Sequence, residues 1–139
     1  MAELPELSIS PEKVCSIIAM ARQFEAKVAV DAPDPGANAG DDDARAVLEQ
    51  GANDAVRAEL MSFIHDLNVD EEVDLVTLAW LGRADGDLEG WGELREEAAR
   101  AHNNRTGEYL LGMPLLASYL EDALSQFDLS CEDFEGESA

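Results

Sequence analysis

The sequence predicts an all-α protein: a single-domain bundle of five or six helices, with a long acidic Pro/Gly loop after the first helix. Three observations carry that expectation. Apolar residues recur at three- and four-residue intervals in several separate segments, as a helix with one buried face requires. Capping residues and prolines stand where several of those segments begin. No stretch alternates apolar and polar residues over a useful strand length, and no internal repeat is present. The 139 residues suit one domain. A chain of that length buries roughly two-thirds of its unfolded surface, enough for a core without staples. Residues 8–128 are expected to form the ordered core, residues 30–43 the exposed loop and residues 129–139 an acidic tail, loose at its end.

Ser10 followed by Pro11 opens the first helix, a capping hydroxyl and then a ring already set at helical φ. Glu12 suits the positive end of the helix dipole. Val14, Ile17, Ile18, Ala21, Phe24 and Val28 form the apolar stripe. The stretch VDAPDPGANAGDDD, residues 30–43, has two prolines, two glycines and five aspartates, and reads as the loop. A second helix begins within DDDARAVLEQ and breaks near Gly51. Asn53 or Asp54 caps a third, striped by Val56, Leu60, Phe63, Ile64 and Leu67.

Asp70, Glu71 and Glu72 load the start of the next helix with negative charge. From Val73 to Leu81 only Asp74 and Thr77 interrupt the apolar run, so this helix is expected to be central and buried, with Trp80 in the core. After the turn GRADGD comes a helix with Trp91, Leu94, Ala98 and Ala101 on one face. AHNNRTGEYLLGMP reads as a polar bend and a short apolar turn. Pro114 then opens the last helix at its first position, with Leu116, Tyr119, Leu120, Ala123, Leu124 and Phe127 as a wide stripe.

Charge narrows the function classes. Thirty-one Asp and Glu oppose nine Lys and Arg, a formal net charge of −22 spread over the whole chain. Such a field repels nucleic-acid phosphates and anionic lipid, and attracts basic protein surfaces or cations. No apolar run is long enough to cross a bilayer. MAELPELSIS lacks the basic start and apolar run of a secretory leader. Cys15 and Cys131 lie far apart and belong to no C-x-x-C pair. A cytoplasmic protein with reduced thiols is therefore expected, with Cys15 a helix residue rather than a nucleophile.

The sharpest chemical pattern is DGDLEGWGELRE, Asp85 to Glu96. It nearly matches an EF-hand loop. Asp85, Asp87 and Glu89 would offer side-chain oxygens to calcium, Trp91 a backbone carbonyl and Glu96 two further oxygens, with Gly90 at the sharp turn. Three features oppose this. Gly92 occupies the eighth place, where an aliphatic residue pairs with a partner loop; Glu89 is long for the fifth place; and no second loop exists. Helix capping by Asp85 or Asp87, with Glu89, Glu93 and Glu96 in the early turns, accounts for the same letters without metal, and no cofactor is expected.

No G-x-S-x-G, P-loop, G-x-G-x-x-G or H-E-x-x-H motif is present. Of the two histidines, His65 reads as a helix-end residue. The other lies in AHNNRT, which gathers His102, Asn103, Asn104, Arg105 and Thr106. Arg83 and Arg105 each follow a predicted helix end, where the last carbonyls need donors, and tying those ends is the simpler role. The alternative is a polar cleft formed by Arg83, Asp85, Trp91, His102, Asn103, Arg105 and Tyr109, an anion site or an unknown enzyme centre.

SISPEKVCSII, DAPDPGAN, LVTLAWLGR, AHNNRTGEYLLGMPLLASYLEDAL and LSCEDFE together resemble the domain-of-unknown-function family 3775, found in bacteria, from about Ser8 to Glu135. The family pattern after the central helix reads G-R-G-D, where this chain has Gly82-Arg83-Ala84-Asp85. Ala84 in place of glycine puts in question any role that needs positive φ there. The family also tends to have glycine where Ala123 stands. The resemblance implies no reaction. It implies a loop built around Arg83, Asp85 and Trp91 rather than a full set of acidic ligands.

The expected function is a non-enzymatic protein-interaction or regulatory domain for a basic protein partner. Nucleic acid and membrane are not expected partners. An apolar patch left outside the core would point to a homodimer.

Overall fold

The computed structural model describes residues 4–31, with side chains to residue 26, and residues 55–132. Among the described residues there are six helices and no strand, as expected of an all-α chain. They are α1 (Pro11–Asp31), α2 (residues 55–65), α3 (Val69–Gly82), α4 (Trp91–Ala101), α5 (Thr106–Leu111) and α6 (Leu116–Gln126). The helix expected within residues 41–50, the capping by Asn53 or Asp54 and most of the acidic loop lie outside the described residues. So does the tail beyond residue 132. Val30 and Asp31, read as the first residues of that loop, still belong to α1.

Helix α3 is the axis of the fold. Every residue from Glu71 to Leu81 is buried except Trp80. It packs against α4, α5 and α6, and α6 packs in turn against α1. The stripes read from the sequence meet here: Val14, Ile17, Ile18 and Ala21 of α1, Leu60 and Ile64 of α2, and Leu116, Leu120, Ala123 and Leu124 of α6 are all buried in one core. Burying each Leu or Ile contributes about 1.5–3 kcal/mol. Trp91 and Phe127 meet edge to face, ring centroids 5.2 Å apart, and close the core between α4 and the end of α6. Leu4, Val69, Tyr109 and Leu115 are the large apolar side chains left exposed among the described residues.

Helix starts follow local chemistry. The Ser10 hydroxyl accepts from the Lys13 amide, as the Ser-Pro start implies. Asn68 caps α3 in a capping box: its side chain accepts from the Glu71 amide, and Glu71 accepts from the Asn68 amide. Lys13 of α1 reaches the same Glu71 carboxylate at 2.6 Å. The Lys13 hydrogen bond, with the Asn68 amide second, holds the Glu71 carboxyl below the ordinary carboxylate range. Helix α6 starts at Leu116, two residues after Pro114, because Pro114 and Leu115 form a turn. No side chain of its own caps it. Glu25 of α1 accepts instead from the Ala117 amide, at 3.1 Å. Burial, opposed by that bond, pushes the Glu25 carboxyl above its usual range.

Two helices end in the same way. Past α3, the Asp85 amide bonds the Trp80 carbonyl and the Ala84 amide the Leu81 carbonyl. Past α6, Leu129 and Asp128 make the equivalent bonds to Leu124 and Ser125. This double closure requires a left-handed residue just beyond the cap, and Ala84 (φ 70°) and Asp128 (φ 59°) supply it. The doubt that alanine raised about positive φ at residue 84 is thus overturned: the helix-end hydrogen bonds impose that conformation on a residue with a Cβ. Ala84→Gly should stabilise the protein by about 0.5–1 kcal/mol, left-handed strain relieved less the extra freedom of glycine when unfolded. A urea denaturation midpoint checks the sign.

Cys15 and Cys131 form a disulfide, their Cα atoms 5.5 Å apart across 116 residues of sequence. Reduced thiols were expected from that separation, and the packing of α1 on α6 overturns it, because it carries the segment after α6 back to the start of α1. Disulfides persist in oxidising milieus, so a reducing, cytoplasmic setting does not follow from the cysteines. No described helix is long and apolar enough to cross a membrane.

Candidate functional site

A cleft of about 410 Å³ opens between α3, α4 and α5. Its volume falls in the range of small-ligand sites. Val73 and Val76 of α3 and Ala98 and Ala101 of α4 supply apolar lining. Trp80 stands at one side; it is partly buried, and its Nε1 donates to the Tyr109 hydroxyl of α5 at 2.8 Å. The expectation of Trp80 in the core is corrected here: the indole bridges core and cleft because its N–H needs an acceptor that the apolar core lacks.

The polar side chains come from the link between α4 and α5. His102 caps the end of α4, and the Asn103 side chain accepts from the Arg105 amide to turn the chain into α5. Arg105 is held by Glu108 at 2.8 Å. Of the seven residues read as a polar cleft, His102, Asn103, Arg105 and Tyr109 line it. Arg83 and Asp85 join from outside: Arg83 bonds Asp85 at 2.8 Å and also reaches the Tyr109 hydroxyl. Asp85, and Tyr109 after it, hold the Arg83 guanidinium above its ordinary value. Trp91 is not part of the cleft; its ring is in the core against Phe127.

Sequence reasoning missed the apolar lining of the cleft and the carboxylate beside His102. Glu72 of α3 is almost fully buried, and its Oε2 lies 3.5 Å from His102 Nε2. That nitrogen is shielded from solvent and has no hydrogen-bond partner. The spacing of Val73, Val76 and Trp80 at three- and four-residue steps was the available signal. It was hidden because the helix is apolar on nearly every side.

The residues of the EF-hand-like stretch serve the helix start. Asp85 pairs with Arg83. The Asp87 carboxylate accepts from the Gly90 amide at 2.9 Å, directly ahead of α4. Trp91 opens α4, and Glu89 and Glu96 face solvent. Among the described residues, no group of three or more His, Cys, Asp or Glu is placed to hold a metal ion.

A second acidic residue of α3, Asp74, is fully buried. Its carboxylate accepts from the Ser8 and Ile9 amides and from Arg95 Nε at 2.6 Å. Asp74 raises the Arg95 guanidinium above its ordinary value. Each face of this group is satisfied, so it pins the chain ahead of α1 and helix α4 onto α3 and leaves no free valence for a ligand.

Fold and cleft together define a small all-α domain with a mostly apolar recess walled by three helices. Residues 57–129, more than half of the chain, match the model of a family described as Protein of unknown function (DUF3775), and the chain belongs to that family. The match begins in α2 and ends at Leu129, so SISPEKVCSII, DAPDPGAN and all of LSCEDFE but its first residue lie outside it. No curated protein and no solved structure matches the chain.

Proposed function

We propose that this chain is a non-enzymatic interaction domain that recognises a basic protein. The observation that carries the reading is the excess of thirty-one carboxylates over nine Lys and Arg. Even the cations at the cleft are engaged by carboxylates: Arg105 by Glu108 and Arg83 by Asp85. An approaching cationic surface meets an attractive field from a long distance, and an anion meets no unpaired guanidinium there. The Trp80–Tyr109 bond and the Arg83–Asp85 pair commit these groups to one another, which suits a rigid binding wall more than proton transfer.

Affinity capture from lysate of the source organism, with proteins identified by mass spectrometry, tests this. Basic proteins should be retained at low salt and released at high salt, since screening removes the attraction. If nothing basic associates at low salt, the reading falls.

A further inference from the structure

We propose that the cleft between α3, α4 and α5 binds an uncharged aromatic small molecule that carries a carbonyl group. This goes beyond the interaction reading and does not depend on it. Size comes first. The cleft holds about 410 Å³, in the range of small-ligand sites. Its α3 wall runs from Val73 to Trp80, about 10 Å of helix, which suits a small molecule rather than a long peptide. Charge comes second. Arg105 and Glu108 are the lining residues of fixed charge, and they pair with each other at 2.8 Å, so their charges cancel. In a chain of net charge −22 this recess is locally neutral. A cation entering it finds no free carboxylate, an anion is repelled by the chain as a whole, and either loses its hydration without a counter-charge. An uncharged ligand meets neither cost. Two rings form one side: the Trp80 indole donates to the Tyr109 hydroxyl at 2.8 Å, so each fixes the other. Fixed aromatic rings favour a ring as their neighbour. Val73, Val76, Ala98 and Ala101 supply apolar surface without polar atoms to leave unpaired. Asn103 supplies the polar contact. Its Oδ1 accepts from the Arg105 amide at 2.8 Å, which settles which end of the carboxamide is oxygen. The remaining group, Nδ2, is a donor with no hydrogen-bond partner among the described residues, and a ligand carbonyl is the uncharged acceptor it fits.

The probe is 2-naphthamide, with 2-naphthoate and 2-naphthylmethylammonium as charged analogues of the same ring. Binding is read from the indole N–H signals in a ¹⁵N–¹H spectrum at physiological salt, where the diffuse field of the chain is screened. The amide should move the Trp80 signal saturably and leave that of Trp91, buried against Phe127, unchanged. Each charged analogue should bind about tenfold more weakly. Ala101→Leu, at an exposed position of α4, fills the cleft and should abolish the Trp80 response. Asn103→Asp keeps the oxygen that turns the chain and loses the donor, so it should weaken amide binding about tenfold. An unchanged circular-dichroism melt shows that each variant folds. The assignment is overturned if 2-naphthamide leaves Trp80 unmoved, if either charged analogue binds as tightly, or if a folded Ala101→Leu or Asn103→Asp variant binds like the parent. It is also overturned if the amide fails to bind while Ala101→Leu abolishes capture of a basic protein, since the cleft would then be part of the protein interface. Amide binding in the cleft with no basic protein captured would keep this assignment and sink the interaction reading.

Discussion

Gly82→Ala is expected to cost at least about 3 kcal/mol, a large share of the stability of a domain this size. On an exposed helix the same change would stabilise by about 1 kcal/mol, because alanine is the better helix former. The sign reverses because a Cβ at residue 82 would lie 1.7 Å from the carbonyl oxygen of Tyr119. That atom is backbone and cannot rotate away, so α3 and α6 would have to separate where they cross. Since α6 also carries the contact to α1, the separation spreads through the core. Chemical denaturation of Gly82→Ala beside Ala84→Gly makes a sharp comparison. Two residues apart in one turn, the first should lower the midpoint and the second raise it. Equal stability of parent and Gly82→Ala would mean the helices do not meet at that backbone.

Asp74→Ala is expected to cost about 3–5 kcal/mol. The residue is 0 % exposed and holds two backbone amides and Arg95. Truncation leaves the Ile9 amide in the interior without an acceptor and the Arg95 guanidinium without its counter-charge. Asp74→Asn keeps one oxygen in place and loses the charge, so its cost should fall between those of parent and alanine variant. Thermal and urea unfolding of the three proteins gives the order. An alanine variant within about 1 kcal/mol of the parent would show that this buried network contributes little.

These two residues mark a boundary in what could be read from the letters. Asp74 appeared in the sequence only as a break in an apolar run. Its partners, Ser8, Ile9 and Arg95, lie 66, 65 and 21 residues away. Gly82 showed up as part of G-R-x-D, and the close approach of another helix has no local signature. The cleft was half legible. AHNNRT and Tyr109 announced themselves because polar side chains cluster there over a short span. The apolar lining did not, since Val73 and Val76 look like any core residues until α4 and α5 are in place.

Local chemistry by itself determined the all-α class, the Ser10-Pro11 start of α1, the buried character of α3 and the stripes of α2, α4 and α6. Period and capping act within a few residues, so they are written in contiguous sequence. Which surfaces meet was decided only by the tertiary packing. It placed Cys131 beside Cys15, Glu25 at the start of α6, His102 against Glu72 and the Trp91 ring in the core rather than the cleft. Each of those outcomes joins residues at least 30 apart, and no local pattern carries the position of one helix on another.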